Sequence, residues 1–228
     1  MSAILKGTMA LGGAGATVGG GFLAHSLISQ DKSKTTLIHK LKSDGFTPLN
    51  TDTSKTESQD SSWQKILTSY SSLIKTKPTL KLKDLSIEAD DGEGINKLKK
   101  ACSDLFKIEG TSSNYKLASK WCVEPITVSD LLSKRGISYL NTESSSSDTT
   151  VWTEMAKKYE KDKNSNKNTL MSDLSWETVS NNNYGSNITK MKTSCNTRKT
   201  KSSHEDEFEK YLSEAQMWCS IVKGENKD

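Results

Sequence analysis

The sequence predicts a mainly α protein, built as a tandem duplication of a small helical module with short extended segments and preceded by an N-terminal membrane helix. Two observations carry this prediction. The stretch 95–102, which ends in a cysteine and is followed twenty positions later by another, returns at 188–195 with the next cysteine twenty-four positions on. The run from residue 7 to residue 30 contains no charged residue. The expected domains are therefore a leader at 1–30, a first module at 35–124 and a second module at 126–223.

The leader is predicted to be a Gly-rich signal anchor or transmembrane segment. Half of the 14 glycines lie between residues 7 and 21, and membrane helices tolerate glycine better than helices in water do. No Ala-x-Ala site ends the run, which favours an uncleaved anchor, although cleavage and a flexible leader without a membrane role both stay open. Small residues at every fourth position would give a helix a smooth face for packing, or for a homodimer: Gly12, Ala16, Gly20 and Ala24.

Each module opens with a short apolar-periodic helix that ends at a glycine, Gly45 in the first and Gly136 in the second. A glycine just past a helix commonly adopts the left-handed conformation that caps it. An extended piece follows in both modules, at 45–51 and at 136–142. A polar linker comes next, at 53–61 and 143–150, and the four consecutive serines of the second linker predict a flexible loop.

Aromatic pairs seven positions apart mark the next helix of each module: Trp63 with Tyr70, then Trp152 with Tyr159. The spacing puts each pair on one helix face with other apolar residues, which predicts core packing. The stretch 84–88 then returns as 173–177 at the same offset of 89 residues. We interpret the carboxylates of the first copy, Asp84 and Glu88, as solvated loop or cap residues.

The last two helices of each module carry the cysteines. Cys102 and Cys195 lie on apolar stripes at helical spacing, and the final helix of the second module is predicted to start at a capping box formed by Ser202 and Glu205. The apolar stripe of that helix is expected to comprise Phe208, Tyr211, Leu212, Ala215, Cys219 and Val222.

Four cysteines allow three pairings, and the duplication selects the one that keeps each module self-contained. The disulfide candidates are Cys102 with Cys122 and Cys195 with Cys219. Zinc is disfavoured because closely spaced Cys or His pairs are missing, whereas reduced core thiols remain the alternative. Disulfides favour an extracytoplasmic body. The positive-inside rule argues the other way, since it would keep the lysines that follow the leader in the cytoplasm.

The composition argues against most chemistry. Lys and Arg number 32 against 28 acidic residues, so no strong polyanion-binding field follows. The sequence contains three histidines and no serine-hydrolase elbow, phosphate loop or dinucleotide fingerprint. The acidic stretch 90–94 lacks the alternating ligands of a calcium loop. We therefore assign no catalytic residue, cofactor or metal site and expect that the protein is not an enzyme.

Several short motifs together resemble a known group of proteins. They are the Gly/Ala-rich leader at 7–24, Gly45-Phe-Thr-x-Leu, Trp63 with Tyr70, Cys102 followed by Trp121-Cys122, and Trp218-Cys219 near the end. This set resembles a lineage-specific paralogous protein family of haemotropic mycoplasmas, wall-less bacteria that live on red blood cells. The resemblance implies a surface-exposed antigen expanded by duplication, and it brings no catalytic or binding residue to carry over.

The expected function is that of a membrane-anchored, surface-exposed antigen or host-interaction module at the cell membrane, with the body facing outside. Its partners would be the membrane and a host-cell surface or antibody, contacted through polar loops that differ between the modules: 51–61, 87–94, 143–150 and 177–185. One alternative is a cytoplasmic basic nucleic-acid-binding protein, and a further one is an enzyme of unrecognised type. In the nucleic-acid-binding alternative, the contacts to the nucleic acid would come from five lysines: Lys97, Lys99, Lys100, Lys190 and Lys192.

Overall fold

The computed structural model describes residues 36–58, 61–108, 110–144, 148–165, 167 and 170–222. Within these ranges the chain forms eight α-helices, one 3-10 turn and two short strands, so the predicted mainly helical class is confirmed. In chain order the elements are α1 Leu37–Ser43, α2 Ser62–Thr76, the 3-10 turn Pro78–Leu80, α3 Gly94–Phe106, α4 Ser112–Trp121, α5 Val128–Lys134, β1 Ile137–Tyr139, α6 Thr149–Asn164, α7 Gly185–Lys199, α8 Phe208–Trp218 and β2 Ser220–Val222.

Local sequence signals account for several helix ends. Four helices, α1, α2, α4 and α5, begin after a hydroxyl residue whose side chain accepts a backbone N–H in the first turn, which satisfies one of the free donors there. These N-caps are Thr36, Ser61, Thr111 and Thr127. Just past α1 and α5 the chain turns at Gly45 (φ +90°) and Gly136 (φ +74°), as the sequence predicts. Glycine suits both positions because a Cβ atom is strained at positive φ.

We refer to residues 36–124 as the first half and residues 126–222 as the second half. The largest fully buried side chains include four tryptophans, two from each half: Trp63, Trp121, Trp152 and Trp218. In the first half Tyr70 meets Trp121 edge to face, with ring centroids 5.1 Å apart. In the second half Tyr159 meets Trp218 edge to face at 4.8 Å. Such pairs contribute stability beyond the burial of their area.

Hydrogen bonds of the tryptophans recur in the two halves. The indole N–H of Trp63 donates to the carbonyl of Asn50 at 3.1 Å. The indole N–H of Trp152 donates to the carbonyl of Asn141 at 2.9 Å. Each bond ties the start of a long helix to the extended piece before it, so the predicted core role of these residues includes a polar anchor.

Backbone pairing recurs as well. The N–H of Leu49 donates to the carbonyl of Cys122 at 3.0 Å, and the N–H of Leu140 donates to that of Cys219 at 2.8 Å. In the second half this pairing extends into the antiparallel strands β1 and β2. Helix packing follows the same order, because α1 contacts α3 and α4 while α5 contacts α7 and α8. All described residues belong to one compact unit of the chain.

The start of α8 differs from the prediction. The sequence placed it at Ser202, but the helix begins at Phe208. The Glu205 carboxylate does accept the N–H of Ser202 at 2.6 Å, which is half of the expected capping box. The N–H of Ser203, however, donates to the carbonyl of Ile126 at 2.9 Å. Glu207 takes the left-handed conformation (φ +57°), so the chain runs in turns from Ser203 and the helix starts only after Glu207.

The end of α8 also differs from the predicted stripe. The helix ends at Trp218 and Cys219 caps it, so Val222 is not on a helix. Val222 lies opposite Ile137 in the two-stranded sheet and is 51% exposed. The carbonyl of Cys219 accepts the N–H of Leu140 rather than a helical N–H, which explains why the chain switches to a strand here.

The predicted leader at 1–30, with its packing residues Gly12, Ala16, Gly20 and Ala24, lies outside the described residues. Among the helices that are described, none has the length and apolarity needed to cross a membrane.

Candidate functional site

The cysteines are joined within each half. Cys102 bonds Cys122 with the two Cα atoms 5.5 Å apart. Cys195 bonds Cys219 with a Cα separation of 5.6 Å. Both values match ordinary disulfide geometry, and all four residues are fully buried. These are the two pairings that the sequence predicts, and each links the middle of one helix to the C-cap of the next.

The first predicted contact loop is held by a buried lysine of α3. The Lys99 ammonium donates to the carbonyls of Asp52 at 3.1 Å and Lys55 at 2.8 Å, and it pairs with the Glu57 carboxylate at 2.7 Å. Three oxygen partners offset the cost of taking the ammonium out of water. In the second half Lys192 of α7 donates to the carbonyl of Glu143 at 2.8 Å. The loops that begin at Asp52 and Glu143 are thus attached to helices through lysines.

Lys99 was among the lysines considered for nucleic-acid contact, but it is buried and is not available for such a contact. Its side chain is 1% exposed, and its ammonium serves the loop described above. Lys97 pairs with Asp91 at 2.7 Å, and Lys190 pairs with Glu177 at 2.7 Å. Periodicity could not show the burial of Lys99, because its partners are backbone carbonyls more than forty residues away in sequence.

The second predicted loop, 87–94, is arranged around Asp91. A hydrogen bond from Lys97, together with the backbone N–H of Glu93, holds the pKa of the Asp91 carboxyl below its usual range. In the corresponding loop of the second half, the Lys190 ammonium and the Ser186 hydroxyl lower the pKa of Glu177. Both carboxylates accept local hydrogen bonds within their loops, a role that is common in turns.

The side chain of Asn187 organises the start of α7. Its amide accepts the N–H of Glu177 at 2.9 Å and donates to the carbonyl of the same residue at 3.0 Å. The amide therefore pairs with the loop backbone as a neighbouring strand would. This contact gives the 177–185 loop a defined position beside its helix.

The two halves meet through charged groups. Lys120 of α4 donates to the carbonyl of Glu205 at 2.6 Å, and Glu209 lies 4.0 Å from the same ammonium. Lys77 pairs with Asp206 at 2.5 Å. Burial lowers the pKa of Lys120, and Glu209 partly opposes that shift. At the other end of the contact, the guanidinium of Arg135 donates to the carbonyl of Asp44, with Nε 3.0 Å from the oxygen.

A shallow groove of about 440 Å³ lies where the two halves join. Both carboxylates of the groove have partners, because Glu124 accepts the hydroxyl of Ser62 and Asp130 accepts that of Thr127. These two acids thus serve the fold. The lining residues are Thr47, Glu124, Pro125, Ile126, Thr127, Asp130, Ser133 and Lys134.

A buried ionic cluster in the second half escaped the sequence reasoning. The guanidinium of Arg198, which is 0% exposed, binds both carboxylate oxygens of Asp173 at 2.6 and 3.0 Å. Its Nε donates to Glu214 at 2.7 Å. A hydrogen bond from Arg198 holds the pKa of Asp173 below its usual value. The sequence repeat aligned Asp173 with Asp84, but it gave no indication that Asp173 pairs with Arg198.

Within the part of the chain that the structure describes, no group of three or more His, Cys, Asp or Glu is placed to hold a metal ion. Comparison of the chain with protein-family models, with curated proteins and with solved structures finds no match.

Proposed function

We propose that this chain is a membrane-anchored protein whose body is displayed outside the cell, where it serves as an antigen or host-interaction module. The observation that carries the proposal is the pair of disulfides, one in each half. Disulfides form and persist in oxidising environments such as the cell surface. In the chain-entropy model, a closed loop of this length stabilises the folded state by about 3 kcal/mol.

The body is proposed to be a tandem duplication, with modules at 35–124 and 126–223. Support comes from contacts that recur at aligned positions: the indole bonds, the ring pairs, the backbone pairing at the second cysteine, and the lysine-to-carbonyl bonds. Without a duplication, each of these matching contacts would have arisen separately. A duplication explains them together.

The anchor and the lineage are proposals that rest on the sequence. Residues 7–24 would tether the chain as an uncleaved helix, with Gly12, Ala16, Gly20 and Ala24 as its packing face. The motifs shared with the family of haemotropic mycoplasmas support a surface role. Detergent partitioning of the full chain, compared with a chain that starts at Ser33, tests the anchor; equal solubility of the two would contradict it.

The proposed contact surface is the set of polar loops that differ between the halves. Lys99 holds the backbone of the 51–58 loop, while Thr53 and Thr56 on that loop are exposed. A loop that is already ordered loses less conformational entropy when a partner binds. The second-half loop at 143–150 is held at its start by Lys192. This arrangement suits recognition without turnover of a substrate.

Protease treatment of intact cells that express the full chain tests the outward display. We expect loss of the body from intact cells, together with blocked thiols that react only after reduction. A body that resists protease in intact cells, but is lost on lysis, would refute the surface assignment. Four freely reactive thiols in cells would remove its main support.

Loop variants test the contact surface. Replacing Thr53 and Thr56 by alanine should weaken antibody or host-cell binding while leaving the disulfides intact. The matched control is Thr68→Ala, which changes an exposed threonine on α2. Binding that is unaffected by alanine replacements in all four loops would contradict the assignment of contacts to them.

A further inference from the structure

The connection between α7 and α8 is a segment of the second half that contacts the first half. The cysteines that flank it are 24 residues apart, against 20 for the matching pair in the first half. The longer connection contains residues 202–206, which we name the latch segment. Its Ser203 pairs with Ile126 in the link between the halves. The extra length therefore lies at the contact between the halves.

Two lysines of the first half end on the latch segment. The Lys120 ammonium lies 2.6 Å from the carbonyl of Glu205 and 3.5 Å from that of Ser203. Lys77 pairs with the carboxylate of Asp206 at 2.5 Å. The side chain of Lys120 is only 1% exposed, so its charge depends on oxygens from the latch segment and the nearby Glu209. A shift of the segment would leave that buried ammonium without its partners, which is costly.

His204 sits in the middle of the latch segment. Its Nδ1 lies 3.0 Å from the hydroxyl of Ser202, and the side chain is partly buried. The charged groups that act on its pKa are Glu205 from its own segment, Lys201 from the preceding residues, Lys120 from α4 and Lys65 from α2. The three lysines, two of them from the first half, disfavour a proton on the imidazole, whereas Glu205 favours it.

We propose that the latch segment is an acid-sensitive device, in which protonation of His204 loosens the contact between the two halves. The imidazole takes up one proton from solvent and becomes a cation on the segment whose carbonyls, on either side of His204, hold the buried Lys120 ammonium. Moving the segment outward hydrates the new charge, but it withdraws the carbonyls of Ser203 and Glu205 from Lys120. The disulfides keep each half intact, so loosening is confined to the contact.

The direction of the pH effect follows from the site. Burial lowers the pKa of His204 below its ordinary value of 6.5; Glu205 opposes this shift, and the nearby lysines add to it. A folded-state pKa below the unfolded one contributes stability that is present above the unfolded value. That contribution is lost as the pH falls through the folded value. The latch is therefore closed at neutral pH and loosens as the pH falls from the unfolded value of about 6.5 toward the lower folded value.

Hydrogen exchange of the full chain at pH 7.5 and pH 5.5, corrected for intrinsic rates, tests the proposal. We expect loss of protection at pH 5.5 in peptides covering the latch segment and the end of α4, with α2 and α6 unchanged. The variant His204→Gln should remove the difference between the two pH values. The control His39→Gln changes an exposed histidine on α1 and should retain it. Equal protection at both pH values, or a loss that persists in His204→Gln, would overturn the proposal.

An NMR titration of the unmodified chain provides a test that does not depend on the folding of a variant. His204 should titrate below the ordinary histidine pKa of about 6.5, and the backbone signals of Lys120 should shift together with it. If His204 titrates at or above that value, or if Lys120 does not respond to it, the latch is refuted.

Discussion

Replacing Arg198 with leucine removes the positive charge at the centre of the buried cluster in the second half. The aligned position in the first half is already a leucine, because Leu105 stands to Cys102 as Arg198 stands to Cys195. In the same way Glu214 corresponds to Leu117. Under the duplication proposed above, the first half has leucines where the second half has a buried ion pair.

The expected magnitudes follow from the exposure of the partners. The Glu214 side chain is 10% exposed, so Arg198→Leu strands a buried carboxylate, which costs about 3–5 kcal/mol of unfolding free energy. Asp173, at 42% side-chain exposure, stays hydrated and adds little to that cost. Replacing Arg198 and Glu214 together by leucine should restore stability to within about 1–2 kcal/mol, since apolar replacement of a buried ion pair is often near neutral.

Urea unfolding of the disulfide-intact protein, followed by tryptophan fluorescence, measures these free energies, and an unchanged slope keeps the comparison valid. The matched control replaces both members of the exposed pair Lys157 and Glu154 by leucine, which should change stability by less than about 1 kcal/mol. An Arg198→Leu variant that is as stable as the parent would contradict this expectation. A double replacement that is less stable than both single replacements, Arg198→Leu and Glu214→Leu, would contradict it as well.

Three further predictions concern the disulfides, a turn and acid. Replacing Cys102 and Cys122 together by alanine should lower the unfolding free energy by about 3 kcal/mol in the same urea experiment, because a 20-residue loop is opened; an unchanged midpoint would contradict this. Gly45→Ala should lower the unfolding free energy by about 1–2 kcal/mol, because the residue has φ +90° and an added Cβ would lie 3.2 Å from a core methyl group. The control Gly92→Ala should leave stability unchanged, since an added Cβ there meets nothing within 4 Å. Hydrogen bonding to the guanidinium lowers the pKa of Asp173 below 3.8, so its contribution to stability is present above about pH 4 and lost as the pH falls through the folded value. Melting curves at falling pH should show this loss in the parent and not in Arg198→Leu; equal acid dependence would rule it out.

Local signals predicted much of the helical framework. The apolar spacing of Trp63 and Tyr70 predicted α2, and the hydroxyl caps and terminal glycines mark where several helices begin and end. These features are readable because a helix face and a cap depend on residues within one or two turns. The two cysteine pairs were predictable for a different reason, since the repeated spacing restricted the pairings.

The start of α8 was not predictable in this way. Ser202 and Glu205 form a local capping signal, and the structure contains half of it. Ser203 pairs with Ile126, 77 positions away, and Glu207 takes the left-handed conformation, so α8 starts only after Glu207. A capping motif sets a helix start only when the residues that follow it keep helical dihedrals.

The buried charges were hidden for a related reason. Lys99, Lys120 and Arg198 each stand in a polar stretch of sequence and look like surface residues. Each is buried because oxygens from distant parts of the chain surround its charged group. The surroundings of a charge depend on which segments meet, and a single sequence does not state this.

By itself the sequence determined the helical class and the partner of each cysteine, because periodicity and repeated spacing act over short distances or by count. Only the tertiary structure decided that Lys120 and His204 lie at the contact between the halves. It also decided that Arg198 joins Asp173 to Glu214 inside the second half. These contacts exist because desolvated charges require oxygen partners, and the fold brings those partners from segments far apart in the chain.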